Sequence, residues 1–294
     1  MENLLLAVPN VSEGRDGETV AAIGAAFAAE DNVRLLDTHS DSDHHRSVFT
    51  LAGGPGALAN ALLRGARAAV EGIDIMMTGP PTRVHPHVGA IDVVPVVYLD
   101  DSGRGAACAE ALLVADRIGE ELSVPVFLYG ELAGGRTRAE LRRGGVAGLE
   151  SRIAAGELHP DFGPSRIHPG AGATLLAARQ PLVAFNLQLA PPATVEDARR
   201  IAALIREGGS EGLSGLRAIG LELGGGVAQV SMNIERPFEM TLATVVAAVG
   251  RHAEVASAEL VGLAPRAALK DFPDEVQFVG LNPQKQVIEN ILAA

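Results

Sequence analysis

One order of strands and helices occurs twice along this chain, and few folds accommodate such a repeat. The first half shows four short apolar or alternating runs separated by two helical patterns, in the order β-α-β-β-α-β. The same order recurs between Pro181–Leu189 and the run at 256–265. Two tandem split β-α-β units are typical of ferredoxin-like halves. The sequence therefore predicts an α/β fold of the α+β type with two ferredoxin-like subdomains.

The boundary between the halves is predicted near a long stretch rich in Pro and Gly, "HPDFGPSRIHPGAGATLLAARQ" at 159–180. Such a composition predicts irregular structure. We therefore expect the subdomains to cover 1–178 and 179–294. Long ordered loops at domain junctions often bind ligands, so this stretch is also a candidate binding segment.

The composition disfavours several classes of function. The net charge of −12 disfavours nonspecific binding to nucleic acid or to an anionic membrane surface. Cys108 is the single cysteine, which excludes a disulfide framework and indicates a reducing compartment. The sequence shows no signal-peptide pattern and no apolar run of the roughly 20 residues that a spanning helix needs. We expect a cytoplasmic protein without nucleic-acid or membrane partners.

A dense group of charges lies in "THSDSDHHRSVFTLAG" at 38–53. It contains Asp41, Asp43, His44, His45 and Arg46. The acidic and imidazole groups suit a metal site, but Arg46 disfavours a second cation and favours an anionic partner. Asp residues are also common in ordinary turns, so a solvated hairpin loop explains the same pattern.

A second candidate is "TRVHPHVGAIDVVP", in which His85 and His87 flank Pro86 before an apolar strand. A histidine held by rigid neighbours suits proton transfer near neutral pH. A histidine whose hydrogen bonds are satisfied within a loop is the plainer explanation. His44, His45, His85 and His87 together would also allow a metal-dependent hydrolase.

The third candidate is the Gly-rich stretch Gly163–Gly172, whose backbone N–H groups could approach a polar ligand closely. It contains neither a Walker A loop nor a dinucleotide-binding fingerprint.

The motifs along the whole chain resemble those of the glutamate formiminotransferases, and they occur in the same order. The matching segments are "VPNVSEGRD", "VRLLD", "HRSVFTLAG", "HPHVGAIDVVP", "VPVFLYGE", "PDFGPSRIHPGAGAT", "LVAFNLQL", "AQVSMNI" and "ELVGLAP". The resemblance implies two ferredoxin-like subdomains whose mixed sheets face a central folate-binding groove. It implies a folate-dependent one-carbon transferase of histidine degradation, acting as a homodimer on folate and glutamate derivatives, with tetrahydrofolate as co-substrate and no metal.

The resemblance also assigns roles to individual residues. His85, in "VHPHVGA", takes the position of the catalytic histidine, which would serve as general acid and base. Arg46 and Glu131 take positions of polar family residues that could bind substrate. The folate-binding loop maps onto Gly163, Pro164, Ser165, Arg166, Ile167, His168, Pro169, Gly170, Ala171 and Gly172.

The chain departs from the family pattern at His39, Val84 and His87, where the family has a carboxylate, a Glu and an Arg. Such changes alter the charged partners of an acid/base group. The preferred activity is transfer of the formimidoyl group from N-formimidoyl-L-glutamate to N5 of tetrahydrofolate. A glutamate formyltransferase using 5-formyltetrahydrofolate, and a folate-binding paralogue without transfer activity, are the alternatives.

Overall fold

The computed structural model describes residues 4–42, 45–76 and 87–293, and within them the chain forms two compact units, Met1–Arg179 and Gln180–Ala294. The division falls one residue beyond the boundary predicted from sequence. The strands are β1 (Leu5–Ala7), β2 (Asn10–Val11), β3 (Val33–Asp41), β4 (Arg46–Gly53), β5 (Ile91–Tyr98), β6 (Val126–Leu128), β7 (Thr174–Arg179), β8 (Val183–Leu189), β9 (Leu216–Leu223), β10 (Val227–Ile234), β11 (Val255–Val261) and β12 (Gln277–Val279).

The α-helices alternate with these strands. They are α1 (Gly17–Phe27), α2 (Ala57–Gly72), α3 (Arg104–Leu122), α4 (Arg138–Arg142), α5 (Gly145–Ala154), α6 (Val195–Ile205), α7 (Leu242–Gly250), α8 (Pro283–Gln286) and α9 (Ile288–Ala293).

Both sheets contain the strand order of a ferredoxin-like fold. In the first unit, β5, β1, β4 and β3 are neighbours in that order, and every pairing among them is antiparallel. In the second unit, β11, β8, β10 and β9 repeat the order with the same antiparallel pairings. The prediction of an α+β protein with two tandem ferredoxin-like units is confirmed.

Each unit extends this common core with parallel strands. In the first unit β7 pairs with β5 and β6 pairs with β7, while in the second β12 pairs with β11. Two expectations were wrong here. Residues 174–179, predicted to be irregular, form the strand β7, because its first five residues, Thr174 and four apolar residues, can be buried on both faces. The run at 256–265 does not contain the last strand, since β12 follows it.

Helix starts in the first unit depend on side chains from near and far in sequence. Asp16 caps α1 by accepting hydrogen bonds from the backbone N–H groups of Glu18 and Thr19. The N-cap residue of the helix α2 is Gly56, which has no side chain to cap the helix. The buried carboxylate of Glu110, on α3, instead accepts from the N–H of Gly56 at 2.9 Å and of Ala59 at 2.6 Å. This contact fixes α2 against α3.

The first unit has apolar cores on both faces of its sheet. Helices α1, α2 and α3 cover one face, where Phe27, Phe49 and Leu62 are fully buried. The other face, along β5, β6 and β7, is covered by α4 and α5 through Leu141 and Leu149. The start of β4 lies at the edge of this second core, since Arg138 and Arg142 of α4 are near enough to act on the charge of Arg46.

Candidate active site

The segment 11–16, part of "VPNVSEGRD", connects three parts of the first unit. The Ser12 hydroxyl donates to the carbonyl of Gly89 at 2.7 Å, and the Ser47 hydroxyl donates to the carbonyl of Glu13 at 2.6 Å. Gly14 lies directly on the hairpin backbone, because a Cβ there would be 2.5 Å from the nitrogen of Arg46. The motif therefore holds the start of β4 against the turn that precedes β5.

The charged group at 38–53 does not form one turn. Strand β3 extends through Asp41, which pairs directly with Arg46, the first residue of β4. The two side chains therefore lie on the same face of the sheet. His45, at the tip, has a φ of +49° and is buried, and its Nδ1 lies 3.2 Å from the backbone nitrogen of Gly14. His44 and Asp43 lie outside the described residues.

Asp92 is a buried carboxylate at the start of β5. Its Oδ1 accepts a hydrogen bond from the backbone N–H of Val88 at 2.7 Å, and its Oδ2 forms an ion pair with Arg142 of α4. The side chains of Asp92 and Arg142 are 3% and 11% exposed. This pair joins α4 to the strand start and fixes the backbone at Val88.

Arg46 lies in the electrostatic field of the ion pair between Asp92 and Arg142. Burial lowers the pKa of Arg46, the neighbouring guanidinium groups of Arg142 and Arg138 lower it further, and the carboxylates of Asp92 and Asp41 oppose the shift. An arginine remains protonated at neutral pH even when its pKa falls. Arg46 is therefore a cation at the start of β4, with the carboxylates of Asp41 and Asp92 near it.

The loop Gly163–Gly172 ends in a tight turn beside the segment that precedes β5. His168 and Gly172 exchange backbone hydrogen bonds of 2.9 and 3.0 Å. The Nδ1 atom of His168 accepts from the backbone N–H of Ala171 at 2.9 Å and, more weakly, of Gly170 at 3.3 Å. Burial lowers the pKa of His168, and this favours the neutral ring that can accept these bonds.

Two glycines let this turn contact the segment that precedes β5. A Cβ on Gly89 would lie 1.9 Å from the carbonyl oxygen of Ala173, and one on Gly172 would lie 2.2 Å from that of Val88. Gly172 also has a φ of +71°, which favours glycine. The "HPHVGAIDVVP" and "PDFGPSRIHPGAGAT" motifs therefore meet through their glycines.

The ten residues predicted to bind folate divide by exposure. Ile167, Ala171 and Gly172 are buried and shape the turn, whereas other members can be reached by a ligand. The exposed members are Gly163, Ser165, Arg166 and Pro169, and the half-buried ones are Pro164, His168 and Gly170. Gly163 itself contacts Gly119 of α3, where a Cβ would be 2.9 Å from the Gly119 Cα.

His85 and Val84 lie outside the described residues, so the role predicted for His85 stays a prediction. The described residues on either side of 77–86 are both bonded to the loop at 168–173. The backbone N–H of Ile75 donates to the carbonyl of Gly170 at 2.9 Å, and that of Ala173 donates to the carbonyl of Val88 at 2.9 Å.

Glu131 lies at the other end of the sheet from Arg46. Its carboxylate accepts from the hydroxyl of Tyr98 at 2.9 Å and from Arg104 at 2.8 Å. Tyr98 ends β5 and Asp92 lies near its start, so about 20 Å of strand separates the two ends. The structure does not bring Glu131 and Arg46 together, and a role of Glu131 in substrate binding stays a prediction.

A metal centre was the least favoured interpretation of the histidines. Within residues 4–42, 45–76 and 87–293, no group of three or more His, Cys, Asp or Glu side chains is placed to hold a metal ion. Two of the four histidines named for that site, His44 and His85, lie outside these ranges. No helix in the same ranges is long and apolar enough to cross a membrane.

Sequence reasoning missed Asp92 and the arginines of α4. A signal was present, since Asp92 is the one charged residue in the apolar run "IDVVPVVY" of β5. A carboxylate in such a run requires a buried partner. The Arg-rich segment before α5 contains that partner, but spacing alone could not show which arginine turns inward.

Comparison with known proteins places these motifs in context. Residues 4–179 match the formiminotransferase domain, N-terminal subdomain. The chain is 35% identical to a glutamate formimidoyltransferase of Streptococcus pyogenes serotype M1, covering 99% of both chains. It is 34% identical to a glutamate formimidoyltransferase of Thermoplasma acidophilum over 92% of this chain and 90% of that one. It is 39% identical to the formimidoyltransferase-cyclodeaminase of Sus scrofa over 92% of its own length, which spans about half, 52%, of that longer protein.

Proposed function

Because the chain belongs to the formiminotransferase family, we propose that it is a glutamate formimidoyltransferase. It transfers the formimidoyl group of N-formimidoyl-L-glutamate to N5 of tetrahydrofolate and releases L-glutamate. The observation that carries this proposal is the similarity over nearly the whole length to stand-alone glutamate formimidoyltransferases, at 35% and 34% identity. The convergence of three motif segments at one edge of the first unit's sheet supports it.

The transfer forms a bond between the formimidoyl carbon and N5 and breaks the bond between that carbon and the glutamate nitrogen. N5 loses a proton and the glutamate nitrogen gains one, so a single group that accepts and then donates a proton suffices. We assign this work to His85. Imidazole suits it because its ordinary pKa lies close to neutral.

Tetrahydrofolate is the proposed co-substrate, and the loop Gly163–Gly172 is the proposed place of contact. The chemistry of the loop fits such a ligand, since exposed Ser165 and Arg166 offer polar groups beside an ordered turn. Arg46 is proposed to bind a carboxylate, because its guanidinium is positive and lies among other cations. Family resemblance further supports a homodimer in the cytoplasm that acts in histidine degradation.

Turnover of N-formimidoyl-L-glutamate with tetrahydrofolate tests the proposal. We expect the wild type to be active and His85→Ala to lose about 10²- to 10⁴-fold in kcat, the range for loss of a general acid/base. His159→Ala, at an exposed histidine, is the matched control and should retain activity.

Offering 5-formyltetrahydrofolate with L-glutamate in parallel separates the formyl-transferring alternative. Faster turnover of this pair would replace the formimidoyl assignment. A wild type that binds folate but forms no product would identify a paralogue that lacks transfer activity. Its folate affinity should then be unchanged in His85→Ala.

A further inference from the structure

Four side chains at the edge of the second core of the first unit form what we call the arginine cluster: Arg46, Tyr129, Arg138 and Arg142. Arg138 and Arg142 lie one turn apart on α4 and both act on the charge of Arg46. The guanidinium carbon of Arg138 lies 5.6 Å from the centre of the Tyr129 ring. The cluster therefore spans from the start of β4 to the end of β6.

The cluster contains more positive than negative charge. Two carboxylates, those of Asp41 and Asp92, act on Arg46 together with the guanidinium groups of Arg138 and Arg142. Asp92 is already engaged by Arg142 and by the backbone of Val88. Removing cations from water is costly unless an anion accompanies them. A further anion would reduce the repulsion that Arg138 and Arg142 exert on Arg46.

Two buried donors in the cluster also lack hydrogen-bond partners. Among the described residues, neither the hydroxyl of Tyr129 nor Nε of Arg142 has one, although Tyr129 is only 6% exposed. Buried donors are nearly always satisfied in folded proteins, and exceptions often mark places where a ligand binds. Arg138 connects the two donors to the excess positive charge, because its guanidinium carbon lies 5.6 Å from the centre of the Tyr129 ring and it shares α4 with Arg142.

From these contacts we propose that the arginine cluster binds a carboxylate of a glutamate moiety, with Tyr129, Arg138 and Arg142 acting beside Arg46 as specificity-determining residues. The identity of the moiety rests on the proposed function. Carboxylates fit because guanidinium groups bind them in a bidentate manner and phenol donors add a further hydrogen bond. Two sources share this chemistry: the formimidoyl donor and the glutamate tail of tetrahydrofolate.

Tyr129→Phe and Arg138→Gln test the proposal without removing a buried ion pair. The Tyr129 hydroxyl has no partner in the described part of the chain, so its loss should leave the melting temperature unchanged or higher. Arg143→Gln is the matched control, because Arg143 is an exposed arginine next to Arg142. The measurements are KM and kcat for both substrates, KM for tetrahydropteroate, which lacks the glutamate tail, and the Kd of glutarate by calorimetry.

We expect both variants, but not Arg143→Gln, to weaken glutarate binding, by about tenfold or more for Arg138→Gln, as for loss of a charged hydrogen bond. A matching rise in KM for N-formimidoyl-L-glutamate assigns the cluster to the donor. A rise in KM for tetrahydrofolate that is absent with tetrahydropteroate assigns it to the folate tail. Either result supports the proposal.

Unchanged KM values in both variants would overturn the proposal, as would a wild type that does not bind glutarate. Glutarate binding can be measured without turnover, so it tests the arginine cluster separately from the proposed function. A protein that binds glutarate through the cluster but transfers no formimidoyl group would refute the proposed function while leaving the carboxylate site in place.

Discussion

The two units share one strand order but differ in what has been added to it. The first unit extends its sheet with β6 and β7 and carries α4 and α5 on the sheet face opposite α1, α2 and α3. Helix α4 contains Arg138 and Arg142, and Tyr129 directly follows β6. In the second unit, Leu216 and Ala218 of β9 turn toward α6 and α7. The alternate residues Ile219 and Leu221 are 56% and 38% exposed.

Closely packed glycines show the same difference. In the first unit, Gly14, Gly89 and Gly172 contact the backbone of segments that meet at the candidate site. In the second unit, Gly220 allows the close approach of α6, where a Cβ would be 2.2 Å from the nitrogen of Arg199. We infer that a common fold supplies the scaffold in both units, and that the helix α4 of the first unit adds the guanidinium groups that lie near Arg46.

The largest effect is expected from Gly89→Ala. The new Cβ would lie 1.9 Å from a backbone carbonyl that cannot move away without disrupting β7, so the free energy of unfolding should fall by more than about 4 kcal/mol. Chemical denaturation, with hydrogen exchange resolved by unit, measures the loss. Gly224→Ala in the second unit is the control, because no atom lies within 4 Å of its Cβ. Equal losses in the free energy of unfolding for Gly89→Ala and Gly224→Ala would show that the close glycine contacts do not distinguish the first unit from the second.

The next effect is that of Asp92→Ala in the first unit. It leaves Arg142 buried without its carboxylate and Val88 without an acceptor, so the free energy of unfolding should fall by about 3–5 kcal/mol. Arg217→Ala breaks the exposed ion pairs of the second unit and should cost less than about 1 kcal/mol. A small loss for Asp92→Ala, measured by urea denaturation, would show that this buried pair does not anchor the strand start.

A smaller effect separates a structural role of Glu131 from a role in substrate binding. Burial, followed by the hydrogen bond to Glu131, raises the pKa of Tyr98 to about 12. Tyr98→Phe should cost about 1 kcal/mol of stability, as for loss of one hydrogen bond, and leave KM unchanged. Glu131→Gln should then behave in the same way. An increase in KM for either substrate in Glu131→Gln alone would establish contact with substrate.

The smallest effect is a dependence on pH at the loop turn. The pKa of His168 is lower in the folded protein than in the unfolded chain, so the unfolded chain binds a proton first as pH falls. The contribution of His168 is therefore complete above about pH 6.5 and decreases as the pH falls through the folded pKa. Below that pH the Gly170 and Ala171 amides should lose protection relative to their intrinsic exchange rates. His168→Asn, which keeps an acceptor but does not titrate, should show no such loss of protection.

Sequence predicted the fold better than the arrangement of the candidate site. The doubled strand order predicted both units, since apolar periodicity survives in each strand and helix. The sequence pattern predicted a turn at Asp41, because polar residues at a sheet edge resemble those of a loop. In the structure, strand β3 continues through Asp41. The pairing of Asp92 with Arg142, fifty positions away, depends on how α4 packs on the sheet, and no local pattern encodes it.

Release of L-glutamate from N-formimidoyl-L-glutamate, measured with and without tetrahydrofolate, tests the central claim most directly. The account predicts release that requires tetrahydrofolate and is matched mole for mole by formimidoylated folate. Release that proceeds equally well without tetrahydrofolate would indicate hydrolysis, and no release under either condition would exclude the transfer. Both of those results would contradict the account.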